Sequence, residues 1–459
     1  MSEQQPENKM GTMPVRRLII TMSLPMMISM LVQALYNVVD SYFVAKFSVD
    51  ALNAVSIIFP IQNLMISFAS GTGVGINALL SKSLGAKDFK RANEAANKGI
   101  FLNIVHTLIF VVIGLFFTKP FLHSLANQES VINYGTQYMT IICLCSVGCF
   151  AQVTFERLLQ STGKTLYCMV SQATGAIINI ILDPVMIFGL GPCPKLGAAG
   201  AAIATVIGQC CAATIALIFN IKVNTEIKLS FKEIFKPNSK VIKLIYNVGV
   251  PSILMMSIGS VMTYLFNKIL LTFTATAQTV FGVYFKLQSM IFMPVFGLNN
   301  GLIPVLAYNY GARNKKRIYQ ALKFSIVLAM CIMTAGMLAF ELIPNVLLGF
   351  FKDPADPVAT KAMLEIGVPA LRIIAFHFPI AALCIVLGSI FQAFSKSMYS
   401  MWISLGRQLI VLIPAAWLLA QTGVLQNIWF AFLIAEGMSF VLSLIFAMRV
   451  KKNIIEKLD

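Results

Sequence analysis

The sequence predicts an all-α integral membrane protein of about twelve transmembrane helices, arranged as two pseudo-symmetric six-helix bundles. Three observations predict it. Apolar residues make up 58% of the chain and charged residues 12%, with a mean hydropathy of +0.80, more apolar side chain than a water-soluble protein of this length needs. Apolar stretches long enough to cross a hydrocarbon core of about 30 Å recur from end to end. A motif also repeats: Gly71, Gly75, Gly85, Ala86 and Lys87 are matched at identical spacing by Gly297, Gly301, Gly311, Ala312 and Arg313, and with the same offset Pro25 matches Pro251.

Polar, glycine or proline clusters bound each span. The first six are expected at residues 17–45, 51–80, 95–117, 133–159, 166–190 and 197–222. The polar stretch 223–242, with its lysines and Pro237, reads as a linker between halves. The second six are expected at 243–272, 276–308, 319–344, 361–394, 398–421 and 425–449. The domain expectation is therefore one bundle over 1–222 and another over 243–459. Later in each half, Gln160-Ser161-Thr162-Gly163-Lys164 resembles Gln392-Ala393-Phe394-Ser395-Lys396. An even number of spans per half gives both halves one orientation, with a pseudo-two-fold axis along the membrane normal and a central cavity between them. Two bundles packed without a cavity are the plainer alternative.

The formal net charge of +17 lies in short loops rather than on a folded basic face, which argues for membrane topology and against a nucleic-acid partner. Arg16, Arg17, Lys82, Lys87, Lys90, Arg91, Arg157 and Lys164 fall in alternate loops. Lys222 to Lys240, Arg313 to Arg317, Lys396, and Arg449 to Lys452 continue that side, whereas the loops around 272–279 and 421–427 carry no Lys or Arg. The basic side reads as cytoplasmic, with both termini inside and lipid around the spans. The start of the chain lacks the pattern of a cleaved signal peptide. Most of the nine cysteines lie in apolar spans without a CxxC pair, so neither a metal site nor a disulfide framework is expected.

Charged groups at the centre of a bilayer cost roughly 3 kcal/mol on insertion scales, which makes Asp40 and Asp183 candidates for an ion or substrate pathway. On the first span Gln33, Tyr36 and Asp40 share a helical face, with Asn37 beside it; on the fifth, Asn179 and Asp183 are one turn apart. Pro184 deprives the carbonyl of Ile180 of a partner, adding a loosened oxygen to a carboxylate and an amide. Such hard oxygen groups suit a small cation or a proton, and a carboxyl removed from water beside a second one favours keeping its proton. The alternative is that either Asp only hydrogen-bonds a neighbouring helix.

Other intramembrane charges carry less. Glu156 and Arg157, near a helix end, are expected to snorkel or pair structurally. Lys268, Lys286, Arg372 and Glu436 lie in the second half, where the repeat sets Phe266 opposite Asp40. Lys286 and Arg372, with Asn37, are weaker candidates for a substrate cavity, and His377 reads as an interior histidine rather than a relay. Abundant Met and Phe would help such a pocket fit bulky ligands. The chain has no GxxxxGK[ST] loop and no HExxH, so ATP-driven transport and zinc hydrolysis are not indicated, and Gly71-Thr72-Gly73-Val74-Gly75 reads as helix packing or a hinge.

The run Leu24-Pro25, Gln33-Ala34-Leu35-Tyr36-Asn37-Val38-Val39-Asp40 and Ala54-Val55 resembles the opening of multidrug and toxic compound extrusion (MATE) transporters. So do Asn179-Ile180-Ile181-Leu182-Asp183-Pro184 and the paired Gly85-Ala86-Lys87 and Gly311-Ala312-Arg313. The resemblance spans nearly the whole chain. It implies two bundles that alternately expose a cavity and export bulky, often cationic compounds against inward proton or sodium flow, in the cytoplasmic membrane of a bacterium, as a monomer without cofactor and without enzymatic activity. Carried over, it makes Asp40 and Asp183 the coupling carboxylates, assisted by Gln33, Tyr36 and Asn179, with Thr205 a further oxygen donor. The proton is the first choice of coupling ion; sodium at Asp40, Asn179 and Asp183 is the second. The seventh span has no acid and the tenth carries Arg372, which favours coupling in the first bundle. A flippase for a lipid-linked oligosaccharide, reading pyrophosphate through Lys268, Lys286 and Arg372, is the alternative transporter. An intramembrane prenyl transferase would need an Asp-rich metal site that the sparse acids do not supply.

Overall fold

The computed structural model describes residues 8–351 and 357–458, which form helices and turns without a strand. Ten helices are long and apolar enough to cross a membrane, and two bent pairs bring the number to twelve. The first span is Val15–Phe47, the second Val49–Gly85, the third Phe89–Phe116, the fifth Thr165–Phe188 and the sixth Ala198–Lys222. The seventh is Ser239–Leu271, the eighth Ala275–Gly311, the ninth Lys315–Leu342, the eleventh Ser397–Ala420 and the twelfth Ala431–Asn453.

The repeat is carried into backbone detail. The first and seventh spans both have 33 residues, the second and eighth 37, and the third and ninth 28, so the helices as well as the letters are duplicated. Matching residues also cap them. Ser48 and Thr274 each accept a backbone N–H at the start of the second and eighth spans, and Asp88 and Asn314 do the same for the third and ninth. Between these helices Lys87 and Arg313 hold left-handed backbone, φ 57° and 55°; the conformation reverses the chain just after each Gly-Ala pair.

The fourth and tenth spans, expected as single helices, are each broken. Glu129–Leu144 meets Val147–Ser161 at 43°, and Pro357–Ala375 meets Phe378–Ala393 at 48°. The breaks fall at Cys145–Ser146 and Phe376–His377, nearly matching positions of the repeat. In the tenth span Pro379 lies in the first turn of the second segment, where its missing N–H costs nothing. In the fourth, Gly148 lets the sixth span come close: a Cβ there would lie 2.9 Å from Cys210 Sγ.

The linker is docked rather than loose. Lys98 of the third span donates to the carbonyls of Glu233 and Ile234, each at 2.7 Å, and to that of Lys236. Asn97 bonds both Lys228 and Ser230.

The two halves meet through the first and second spans of one and the seventh and eighth of the other. The repeated glycines lie in this contact. A Cβ on Gly71 would meet Ile253, and one on Gly75 would meet Ile245 and Gly249; at the matching positions Gly297 meets Met27 and Gly301 meets Ser23. At the C-terminal ends of the second and eighth spans, Gly85 abuts the carbonyl of Tyr308 and Gly311 that of Lys82. Toward the opposite end Asn63 still donates to Ser260 at 3.0 Å. One turn further on the same faces, Phe59 and Tyr264 are 60% and 59% exposed. The halves therefore touch at one end and part at the other.

A short N-terminal strap reinforces the closed end. Asn8 donates to the Thr162 carbonyl at 3.0 Å and to Glu226 at 2.6 Å, while the carbonyl of the fully buried Met10 accepts from Asn309 and Arg317 of the second half.

Candidate transport cavity

The first, second, fourth, fifth and sixth spans enclose a cavity of about 100 Å³ inside the first half. Its wall mixes Met26, Met30 and Ile66 with polar groups from several helices, the composition of a pocket that binds apolar bodies and orients them through a few polar contacts.

Of the residues singled out from sequence, Gln33, Tyr36, Asn179 and Thr205 line this cavity. Asp183 is fully buried and Asn179 is 3% exposed. The Asn179 amide donates to Asp183 at 3.4 Å along the fifth span and to the Thr205 hydroxyl of the sixth at 3.3 Å. Gly175 and Gly208 make this crossing close, since a Cβ on either would press on the backbone of the other. The fifth span continues through Pro184 to Phe188. Asp40, half-buried on the first span, lies within electrostatic range of Asp183, and Tyr36 and Tyr138 sit in the field of both carboxylates. Asp40 Oδ1, Asp183 Oδ2 and Asn179 Oδ1 are buried with no hydrogen-bond partner among the described residues. The three oxygens, on two neighbouring helices, suit coordination of a small cation, and the two carboxylate oxygens can also take a proton. Gln33 accepts from Gln172 at 3.4 Å, tying the first span to the fifth.

The weaker candidates are not brought to this cavity. Asn37 is exposed beside the Gln33–Asp40 face. Lys286 is exposed and lies 5.8 Å from the centre of the Phe351 ring. Arg372 is exposed and donates to the Glu341 carbonyl at 3.3 Å.

Glu156 and Arg157 differ from the expectation of a snorkelling pair. Both line the cavity. Glu156 accepts from Gln152 at 3.0 Å and from Ser171 at 3.4 Å. Arg157 donates to Gln160 at 2.7 Å and, across the junction of the two halves, to the Asn300 side chain at 3.2 Å. Gln160 also donates to the Asn300 carbonyl at 3.0 Å and accepts from Asn77 at 3.1 Å. The Arg157/Gln160 spacing of one helical turn was a usable signal; Asn300, Gln152, Gln172 and Tyr138 had none beyond being polar in apolar spans.

The MatE family model matches residues 25–185 and 251–418, most of both halves. The chain is similar to the multidrug export protein MepA of Staphylococcus haemolyticus (strain JCSC1435), with 29% identity over 76% of each chain. It is also similar to the FAD transporter of Shewanella oneidensis, with 26% identity over 88% of each. Its fold matches a solved structure described as the outward-facing conformation of a multidrug resistance MATE family transporter of the MOP superfamily. There the TM-score is 0.90 at 22% identity, covering 99% of this chain and 100% of that one. Two duplicated membrane bundles, a polar cavity within the first, and a family match over both halves lead to one conclusion: the chain belongs to the MatE family and is a MATE transporter.

Proposed function

We propose that this transporter exports bulky, often cationic organic compounds in exchange for protons, with Asp40 and Asp183 as the coupling carboxylates and Asn179, Thr205, Gln33 and Tyr36 shaping their site. The buried Asp183 with an unpartnered oxygen beside Asn179 carries this reading. An ionised carboxylate there attracts an organic cation or a proton, and the two compete for the same charge; that competition is what exchange requires. Sodium held by Asp40, Asn179 and Asp183 is the alternative ion. The multidrug export relatives support the substrate class.

The bundles over 1–222 and 243–459, joined by 223–242, are the moving units in this reading. Lysines and arginines crowd the end where the halves touch, which supports a cytoplasmic position for that end and for both termini. The parted end then opens to the exterior of a bacterial cytoplasmic membrane, and one chain suffices.

The deciding experiment is efflux of a cationic dye from proteoliposomes under imposed proton and sodium gradients. Asp183→Asn should abolish proton-driven efflux and Asp40→Asn should impair it. Efflux that persists in Asp183→Asn refutes the carboxylate assignment, and efflux that collapses without sodium at a fixed proton gradient reassigns the ion.

A further inference from the structure

The linker between the halves carries a short helix, Phe231–Phe235, whose outer face the described residues leave largely bare. Phe231 and Phe235 lie one turn apart on that face, with ring centres 5.1 Å from each other, and they are 79% and 51% exposed. The aliphatic side chains just before the helix turn the other way. Ile227 is buried and Leu229 packs beside it, against apolar residues of the second and third spans. An aromatic pair left out of the core in this manner is costly in water and needs an apolar partner.

The depth of the helix says what that partner is. Along the third span Lys98 is the last charged residue, and from Gly99 to Phe116 there is no Asp, Glu, Lys or Arg, so the span enters the hydrocarbon just beyond Lys98. The buried ammonium of Lys98 is the group that holds the linker carbonyls of Glu233, Ile234 and Lys236. Phe101, one turn further along the span, meets Phe235 edge-on with ring centres 6.4 Å apart. The two exposed rings are therefore held where the third span passes from charged to apolar side chains. Interfacial helices seat their aromatic faces at this level of a bilayer.

From Lys222 to Lys243 the chain holds six lysines against two glutamates. Both acids are engaged, Glu226 with Asn8 at 2.6 Å and Glu233 with Lys236 at 3.7 Å. Lys228, Lys232 and Lys240 are exposed and have no ion-pair partner among the described residues. We propose that this linker helix is a binding site for anionic phospholipid: Phe231 and Phe235 insert at the level of the upper acyl chains, while Lys228, Lys232 and Lys240 pair with headgroup charge. A zwitterionic headgroup brings no net charge to these lysines, so anionic lipid gathers here in preference to it. The bound lipid acts on the segment that joins the two halves. The site is independent of the coupling carboxylates and of the exported compound.

The test places an indole on this face by Phe231→Trp in the full chain carrying Trp402→Phe and Trp417→Phe, with the emission of the fully buried Trp429 subtracted as background. Vesicles contain phosphatidylcholine and phosphatidylglycerol in one fixed mixture, and an equal amount of bromine is placed on the upper acyl chains of either the one lipid or the other. Brominated phosphatidylglycerol should quench the introduced indole roughly twofold or more over brominated phosphatidylcholine, and aqueous acrylamide should quench it little. The excess should disappear in Lys228→Gln/Lys232→Gln/Lys240→Gln and shrink at high salt. Phe235→Trp is the second reporter and serves if Phe231→Trp does not fold. Quenching by acrylamide but not by brominated lipid overturns the proposal, as does equal quenching by the two lipids or an excess that survives loss of the three lysines.

Discussion

The guanidinium of Arg157 donates to the side-chain oxygen of Asn300 at 3.2 Å, so a residue lining the cavity of the first half is bonded directly to the second. Whatever enters that cavity and offers Arg157 another acceptor competes with the closure of the halves.

Arg157→Ala should therefore loosen the closed end. A hydrogen bond to a charged donor contributes about 1.5–3 kcal/mol, and the one lost across the junction is that to Asn300. With spin labels at Lys164→Cys and Lys396→Cys in a background without native cysteines, the interlabel distance distribution should broaden and shift outward. Arg157→Lys keeps the charge but not the planar guanidinium whose Nη1 reaches both Gln160 and Asn300, and should show an intermediate effect.

Gly85→Ala and Gly311→Ala should each disturb the same closure, because the added methyl would overlap a carbonyl of the other half. Overpacking costs about 1–3 kcal/mol. The proper control is Gly282→Ala, where nothing lies within 4 Å of the new Cβ. Dye efflux should fall several-fold in the first two and stay near the parent value in the third.

Thr205→Val removes the hydroxyl that accepts from Asn179 at 3.3 Å. The amide then keeps its bond to Asp183 at 3.4 Å. Loss of a bond of this kind costs about 1 kcal/mol, so the proton concentration giving half-maximal efflux should shift while assembly of the protein in the membrane is unchanged.

The N-terminal strap should respond to pH through Glu226, which lies outside the spans. Burial pushes its carboxyl above the ordinary value of 4.5, opposed by Lys164, Asn8 and Lys9. A raised value in the docked state means docking is fully supported below about pH 4.5 and weakens as pH rises through the raised value. A spin label at Thr12→Cys should gain mobility over that window, and Glu226→Gln should flatten the response.

Periodicity exposed what depends on local pattern. The twelve spans follow from apolar length, and the Asn179–Asp183 contact follows from four-residue spacing on one helix. The glycine repeat carried more than its letters suggested, since each copy lies against the opposite half. Contacts between distant segments left no such trace. Asn300 is one amide among several in the eighth span until the fold sets Arg157 beside it. Arg407 likewise gains meaning only from Glu436, a helix away. The break at Cys145–Ser146 lacks a proline, so hydropathy runs through it without interruption.

The glycine contacts at the closed end also set how readily that end can open. Gly85 against the Tyr308 carbonyl, and Gly311 against that of Lys82, juxtapose backbone with backbone. Burial stabilises at roughly 25 cal/mol per Å² of apolar surface, and a glycine offers almost none. Parting these contacts exposes polar carbonyls that water can solvate at once. At these two positions the fit is thus geometrically strict yet adhesively weak, and the hold on this end falls to the apolar side chains beside them, Leu18 and Met22 against Leu298 and Leu302 and Val74 and Ala78 against Val248, and to bonds that can be exchanged for others, those of Arg157, Gln160 and the strap.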